Sequence, residues 1–392
     1  MRHLWLAVAL LAFVPTPILA EDYELPPYTA AYEPSTVDER GMWMEADEYE
    51  RRLSTSELLV RDEELTAYVR SVLCDVVGND RCNGVRIYVM RVPAFNATML
   101  PNGAMTVWSG LLLRARNEAE LGAVLGHEFA HFELRHSLKG FQRRRSASDV
   151  LAWASVLGGI AAVDTRDAQI SLIGSVFQFN RDQEKEADLL GLRYLAQSEY
   201  PSRSASEIWQ HLLEEEDARL AGRKLHKRHR YRAGFFDTHP TDLDRADYLL
   251  AESIKVGGSG RASAVEYQAK INPYLSWMLA DQIKLNDFGG TDYILNGIAS
   301  TTGWTGQLMH SRAEMYASRG NPRDLVTATT FYLNALDAGY RDPQTLRGLG
   351  LSLIKSGNKA EGGEYLMQYL EALPDAPDAN VIRLYLPKGD SE

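Results

Sequence analysis

In the stretch GHEFAHFELRH, residues 126 to 136, His127 and His131 stand four apart and Glu128 directly follows the first. Residues four apart share one face of a helix, so the two imidazoles can present nitrogens to a single cation. Glu128 then projects beside them, near the space where a metal-bound water would sit. This is the HExxH arrangement, with the histidines as zinc ligands and the glutamate as general base. The plain reading of the same residues is an amphipathic helix carrying two structural histidines. A catalytic zinc takes three protein ligands and keeps one position open, so a third ligand must come from elsewhere. FNRDQEKEADLLGLRYL, residues 179 to 195, supplies a second helix with Glu184 and Asp188 four apart. Glu184 would complete a His, His, Glu set, and Asp188 would hydrogen-bond a ligand histidine and fix its tautomer. Glu186 competes as ligand, but it shares no face with Asp188 and is directed more toward solvent. His136, five residues after His131, falls off the ligand face and reads as a surface or packing residue.

These side chains need elements to hold them. NEAELGAVLGHEFAHFELRH opens with Asn117 as N-cap and Glu120 three residues on, a capping-box pattern that puts the histidine pair well inside a helix. Upstream, SELLVRDEELTAYVRSVLCDVV has helical apolar spacing and VRIYVMRVP alternates as a strand. In AFNATMLPNGAMTVWSGLLL, Pro101, Asn102 and Gly103 form a turn between two strand-like runs. Residues 150 to 178 are apolar but split by Asp164, Thr165, Arg166 and Asp167. Neither piece reaches the roughly 18 to 20 residues of a membrane span, so both are expected to be core helices, with a membrane-touching hairpin as the alternative.

The whole chain sets the frame. With 392 residues, 45% of them hydrophobic, it can bury a sizeable core in two or three domains. Its net charge of −11 gives no overall positive field to gather nucleic acid. MRHLWLAVALLAFVPTPILAED, with a basic start and a small-residue exit at Ala20, reads as a secretory signal peptide over residues 1–20. Ile18, Pro15 and Pro17 leave an uncleaved anchor as the alternative, and no cysteine follows to take a lipid. In an exported chain, Cys74 and Cys82 form a disulfide around a Gly-Asn-Asp turn; free thiols are the alternative. Residues 21–57 form a polar arm leading into a first helix, and KVGGSGRAS, residues 255 to 263, is the clearest linker. Beyond it, Gly320-Asn321 is echoed by Gly357-Asn358, 37 residues on, and Pro343 by Pro377, 34 residues on. The texture is that of degenerate tetratricopeptide repeats, expected to stack into a helical solenoid over residues 262–385, with an ordinary bundle as the alternative. The basic run RKLHKRHRYR, residues 223 to 232, reads as a solvated loop, or else as a contact for anionic lipid or a lid.

Four motifs in order resemble one family. They are FNATMLPNG at 95–103, GHEFAH at 126–131, RDQEKEAD at 181–188 and THPTDLDR at 238–245. The resemblance is to the membrane and periplasmic gluzincin proteases that include HtpX and the CaaX prenyl protease; a leader in front and repeats behind look most like the BepA branch. It implies an α+β, zincin-like, helix-rich protease domain with a small sheet over residues 58–255, followed by the all-α repeat domain. By the same resemblance Glu184 is the third zinc ligand and Asp188 its supporting acid. His239 occupies the fourth zinc position or offsets the oxyanion charge, and Arg245 stabilises the oxyanion. Asn96, Ala97, Thr98, Met99 and Leu100 match the edge strand to which an extended peptide adds by backbone hydrogen bonds. Unlike many members, this chain has no span-length apolar segment between its two zinc-binding helices. The implied function is a periplasmic endopeptidase with one Zn2+ per chain, acting on misfolded or stalled outer-membrane proteins. The repeats would recruit unfolded polypeptide or the assembly machinery, with at most peripheral membrane contact. The rival is a chaperone or binding module whose metal site is latent.

Overall fold

The computed structural model describes residues 25–146, 179, 181–225 and 242–386. The expected signal peptide, the apolar pieces at 150–178, most of the basic run at 223–232 and His239 lie outside them. Residues 25–35 carry no regular element and lead into helix α1 (Val37–Thr55), whose N-cap Thr36 and Glu39 form a full capping box. Helix α2 (Glu63–Val77) starts later than its apolar spacing suggests, because Asp62 caps it by accepting from the Leu65 N–H. The preceding Leu58 to Val60 instead lie along strand β1 (Arg86–Met90): Val60 N–H donates to Val89 and Arg91 N–H to Leu58. A short helix α3 (Asn79–Cys82) follows α2, and the Cys74–Cys82 disulfide ties the two.

The sheet has three strands in the order β1, β3, β2, with β2 (Ala97–Met99) antiparallel and β1 parallel to β3 (Ala104–Trp108). Gly103 turns the β2–β3 hairpin at φ 89°, a left-handed angle that suits glycine. The apolar residues after β3 do not extend the strand. Ser109–Arg114 form helix α4, entered where the Gly110 N–H bonds to Val92 and where a Cβ on Gly110 would strike the Ala94 backbone. On the outer face of the sheet, Glu50 of α1 accepts from Arg86 at 2.6 Å, Tyr88 at 2.8 Å and Asn102 at 2.8 Å.

Helix α5 (Glu118–Glu133) crosses the core and packs on α2, on β2 and most extensively on α7 (Arg181–Gln197). Between them in sequence lies α6 (His136–Ser146); after them come α8 (Ser204–Gly222) and α9 (Asp242–Val256), packed on each other. The linker is pinned: Arg261 N–H donates to Glu199, and a Cβ on Gly260 would overlap the Glu199 carbonyl oxygen. Helices α10 (Ala264–Ile271), α11 (Leu275–Lys284) and α12 (Phe288–Thr302) then return to the main core, one buried cluster whose described members range from Leu65 to Met315. Tyr267 donates to the Leu112 carbonyl at 2.6 Å, and Arg114 bridges Glu215 of α8 and Gln282 of α11 at 2.8 and 3.1 Å. Helices α13 (Gly306–Arg319), α14 (Pro322–Asp337), α15 (Pro343–Lys355) and α16 (Lys359–Ala372) pack each on the next, and α17 (Ala379–Arg383) closes the end. Among the described residues no helix is long and apolar enough to cross a membrane.

Candidate active site and metal centre

Asn117 caps α5 by accepting from the Glu120 N–H at 2.8 Å, which sets the register of the helix ten residues before the histidines. His127 and His131 turn inward, 5% and 2% exposed, with their Nε2 atoms 3.1 Å apart. Glu184, fully buried on α7, brings Oε2 to 3.5 Å from His127 Nε2 and Oε1 to 3.7 Å from His131 Nε2. One atom from each of the three lies within 4.8 Å of the others, and no other such group of three or more occurs among the described residues. Two nitrogens bonded to one tetrahedral zinc at its usual bond length stand about 3.3 Å apart, so the donors fit a small divalent ion. Burial pushes His131 down to about 3, which keeps its imidazole neutral, the form that ligates.

The convergence depends on how closely α5 and α7 approach. A Cβ on Gly191 would lie 3.1 Å from both Cα and N of His127, so only glycine lets the two backbones meet there without a shift. That contact brings Asp188, one turn before Gly191, to 2.8 Å from His127 Nδ1. Burial and Arg245 press His127 toward neutrality, but Asp188 and Glu184 outweigh them and raise it to about 9. Burial would raise Asp188, and Arg245 followed by His127 reverses this and holds it well below the usual carboxylate range.

Glu128 sits on the next face, partly exposed, and burial pushes it up to about 7 although it also accepts the Met99 N–H. A carboxylate with that affinity for a proton is suited to general-base work near neutral pH. Of the predicted stretch 96–100, Ala97–Met99 form β2, an outer strand of the sheet. Asn96 and Leu100 close its two ends by bonding to Trp108 and Ala104 of the neighbouring strand. Thr98 pairs with Thr106, so the alternation of an antiparallel ladder turns the backbone groups of Ala97 and Met99 away from β3, toward α5.

Arg245 is 1% exposed. It bonds both Asp188 oxygens, at 2.9 Å through Nε, and lies 3.7 Å from the centre of the Trp209 ring. Its Nη2 is 3.2 Å from His127 Nδ1 and 3.4 Å from Nε2, so it overlies the imidazole. The Tyr248 hydroxyl also donates to Asp188. Trp209 and Tyr248 had no signal in the sequence, since only the fold brings α8 and α9 to α7. Of the two roles expected for His136, the structure has packing and not surface: it is fully buried, 2.9 Å from His131.

An HExxH helix, a carboxylate from a second helix and an outer strand beside them define a metallopeptidase site. Residues 60–253 match the model of Peptidase family M48. It is 31% identical over 153 residues to the mitochondrial metalloendopeptidase OMA1 of Schizosaccharomyces pombe, covering 38% of this chain and 44% of that protein. To the beta-barrel assembly-enhancing protease of Escherichia coli it is 27% identical over 183 residues, 43% of this chain and 37% of the relative. To the metalloprotease LoiP of Escherichia coli it is 29% identical over 195 residues, 47% of this chain and 71% of the relative. The first two matches thus span less than half the length of those relatives.

Proposed function

We propose that the protein is a zinc-dependent endopeptidase of the periplasm that cleaves misfolded or stalled outer-membrane proteins. The observation that carries the reading is the meeting of His127, His131 and Glu184 in one buried cluster, with Glu128 and an outer strand alongside. A zinc ion held there supplies a Lewis acid at neutral pH. An extended polypeptide adds to β2 through the outward backbone groups of Ala97 and the Met99 carbonyl. Glu128 takes a proton from the attacking water and passes it to the leaving amine. Asp188 holds the His127 ring by its Nδ1, and Arg245 holds Asp188. The oxyanion charge would be offset by Arg245 or by His239, the two residues the family resemblance offers for that role.

The place of action is supported by the leader-like first 20 residues and by relatives named for beta-barrel assembly. Helices α13 to α16, packed in succession, support a tetratricopeptide-like solenoid that recruits unfolded polypeptide or the assembly machinery. The test is metal analysis of the purified chain combined with casein digestion. The reading expects one zinc per chain, loss of digestion with a chelator and its return with added zinc. Digestion that persists in metal-free protein would refute it.

A further inference from the structure

We infer that His136 and Glu186 are positioning residues that fix the tautomer of His131 for metal binding, an inference that rests on the zinc reading above. In an unbroken helix, His136 would lie about 140° around from His131. The chain is not unbroken. Helix α5 stops at Glu133, and Arg135 adopts the left-handed φ of 57° before α6 begins at His136. The Arg135 N–H bonds to Phe132, and its guanidinium lies 4.7 Å from the Tyr32 ring centre in the arm before α1. This reversal folds His136 back under His131, so that their Nδ1 atoms are 2.9 Å apart. The other nitrogen of His136, Nε2, is 3.1 Å from Glu186 Oε2. Gln183 donates to the His136 carbonyl at 3.2 Å, and the Phe179 ring stacks on His131 at 3.9 Å.

Hydrogen-bond accounting then determines each ring. A carboxylate only accepts, so the proton of a neutral His136 resides on Nε2 and points at Glu186. His136 Nδ1 is left as an acceptor, and two nitrogens 2.9 Å apart share one hydrogen, which His131 Nδ1 must therefore supply. The bare lone pair of His131 is consequently on Nε2, the atom that faces His127 and Glu184. His127 receives the same instruction directly from Asp188. The two ligand histidines are thus set by two carboxylates of one helix, one directly and one through an intervening imidazole.

The experiment measures the zinc affinity of the metal-stripped full chain by competition with a chromophoric chelator. Glu186 is 59% exposed, so replacing it leaves the core intact. Glu186→Ala is expected to weaken zinc binding by about tenfold, at the lower end of what outer partners contribute. Glu186→Gln, whose amide oxygen still accepts from Nε2, should stay within about threefold of wild type. His136→Phe should weaken binding by about tenfold or more, and Glu186→Ala should add nothing further in that background. Unchanged affinity in Glu186→Ala, an equal loss in Glu186→Gln (a plain charge effect), or additive losses in the double variant would overturn the inference. A wild-type chain with no zinc site abolished by His127→Ala would overturn the zinc reading itself, and this inference with it.

Discussion

Asp188 serves three neighbours at once, accepting from the His127 ring and the Tyr248 hydroxyl and bonding the buried Arg245. Converting it to the uncharged isostere should therefore produce two separable losses. Asp188→Asn is expected to lower metal affinity by about 10- to 100-fold, because His127 is no longer held by a carboxylate. It should also lower unfolding free energy by about 3 to 5 kcal/mol, because Arg245 is left as a buried charge without its counter-ion. Chelator competition and denaturant unfolding measure the two, and wild-type values in both would contradict the arrangement. Asp188 and Glu184 were legible in the sequence because a spacing of four fixes a shared helical face. Arg245's partners were not, since nothing local in a sequence joins residue 245 to residue 188.

At the level of elements, the site exists because α5 and α7 touch at Gly191. Gly191→Val places branched carbons against the His127 backbone, which cannot yield as a side-chain tip can. We expect a loss of about 1 to 3 kcal/mol in stability together with weaker metal binding. Gly41→Ala, in exposed α1 with open space around it, serves as the control and should gain about 0.5 to 1 kcal/mol. Wild-type melting and metal binding in Gly191→Val would show that the contact is dispensable. Helix α5, its Asn117 cap and the β2–β3 turn could be read from periodicity and turn chemistry. The fold of His136 back under His131 could not, because the left-handed residue is Arg135, and an arginine carries no signal for that conformation. The helix at Ser109–Arg114 was hidden for a related reason: a short apolar run is compatible with strand or helix, and the contact of Gly110 with the Ala94 backbone decides between them.

Across the whole molecule, the glycine-rich linker marks a change of sequence texture, whereas the packed core extends beyond it. Tyr267, Ile271, Leu275, Met278, Leu279, Ile294, Leu295 and Ile298 are buried in the same cluster as the residues around the site. A chain ending at Val256 would leave the partners of these side chains exposed to water. It is expected to lose cooperative unfolding, as followed by circular dichroism on heating; a truncated chain that melts like the full one would refute the shared core. The segment's composition reads as a linker because glycine and serine commonly make one. Here Gly260 is needed for a close approach to Glu199, a tertiary fact that composition does not carry.

The proposed hydrolysis requires Glu128 to act as a base beside a cation held by His127, His131 and Glu184. The most direct test is Glu128→Gln, assayed for zinc content and casein digestion in one preparation. We predict one zinc per chain, as in wild type, with digestion reduced by about 10²- to 10⁴-fold. Digestion at the wild-type rate by that variant would contradict the assignment.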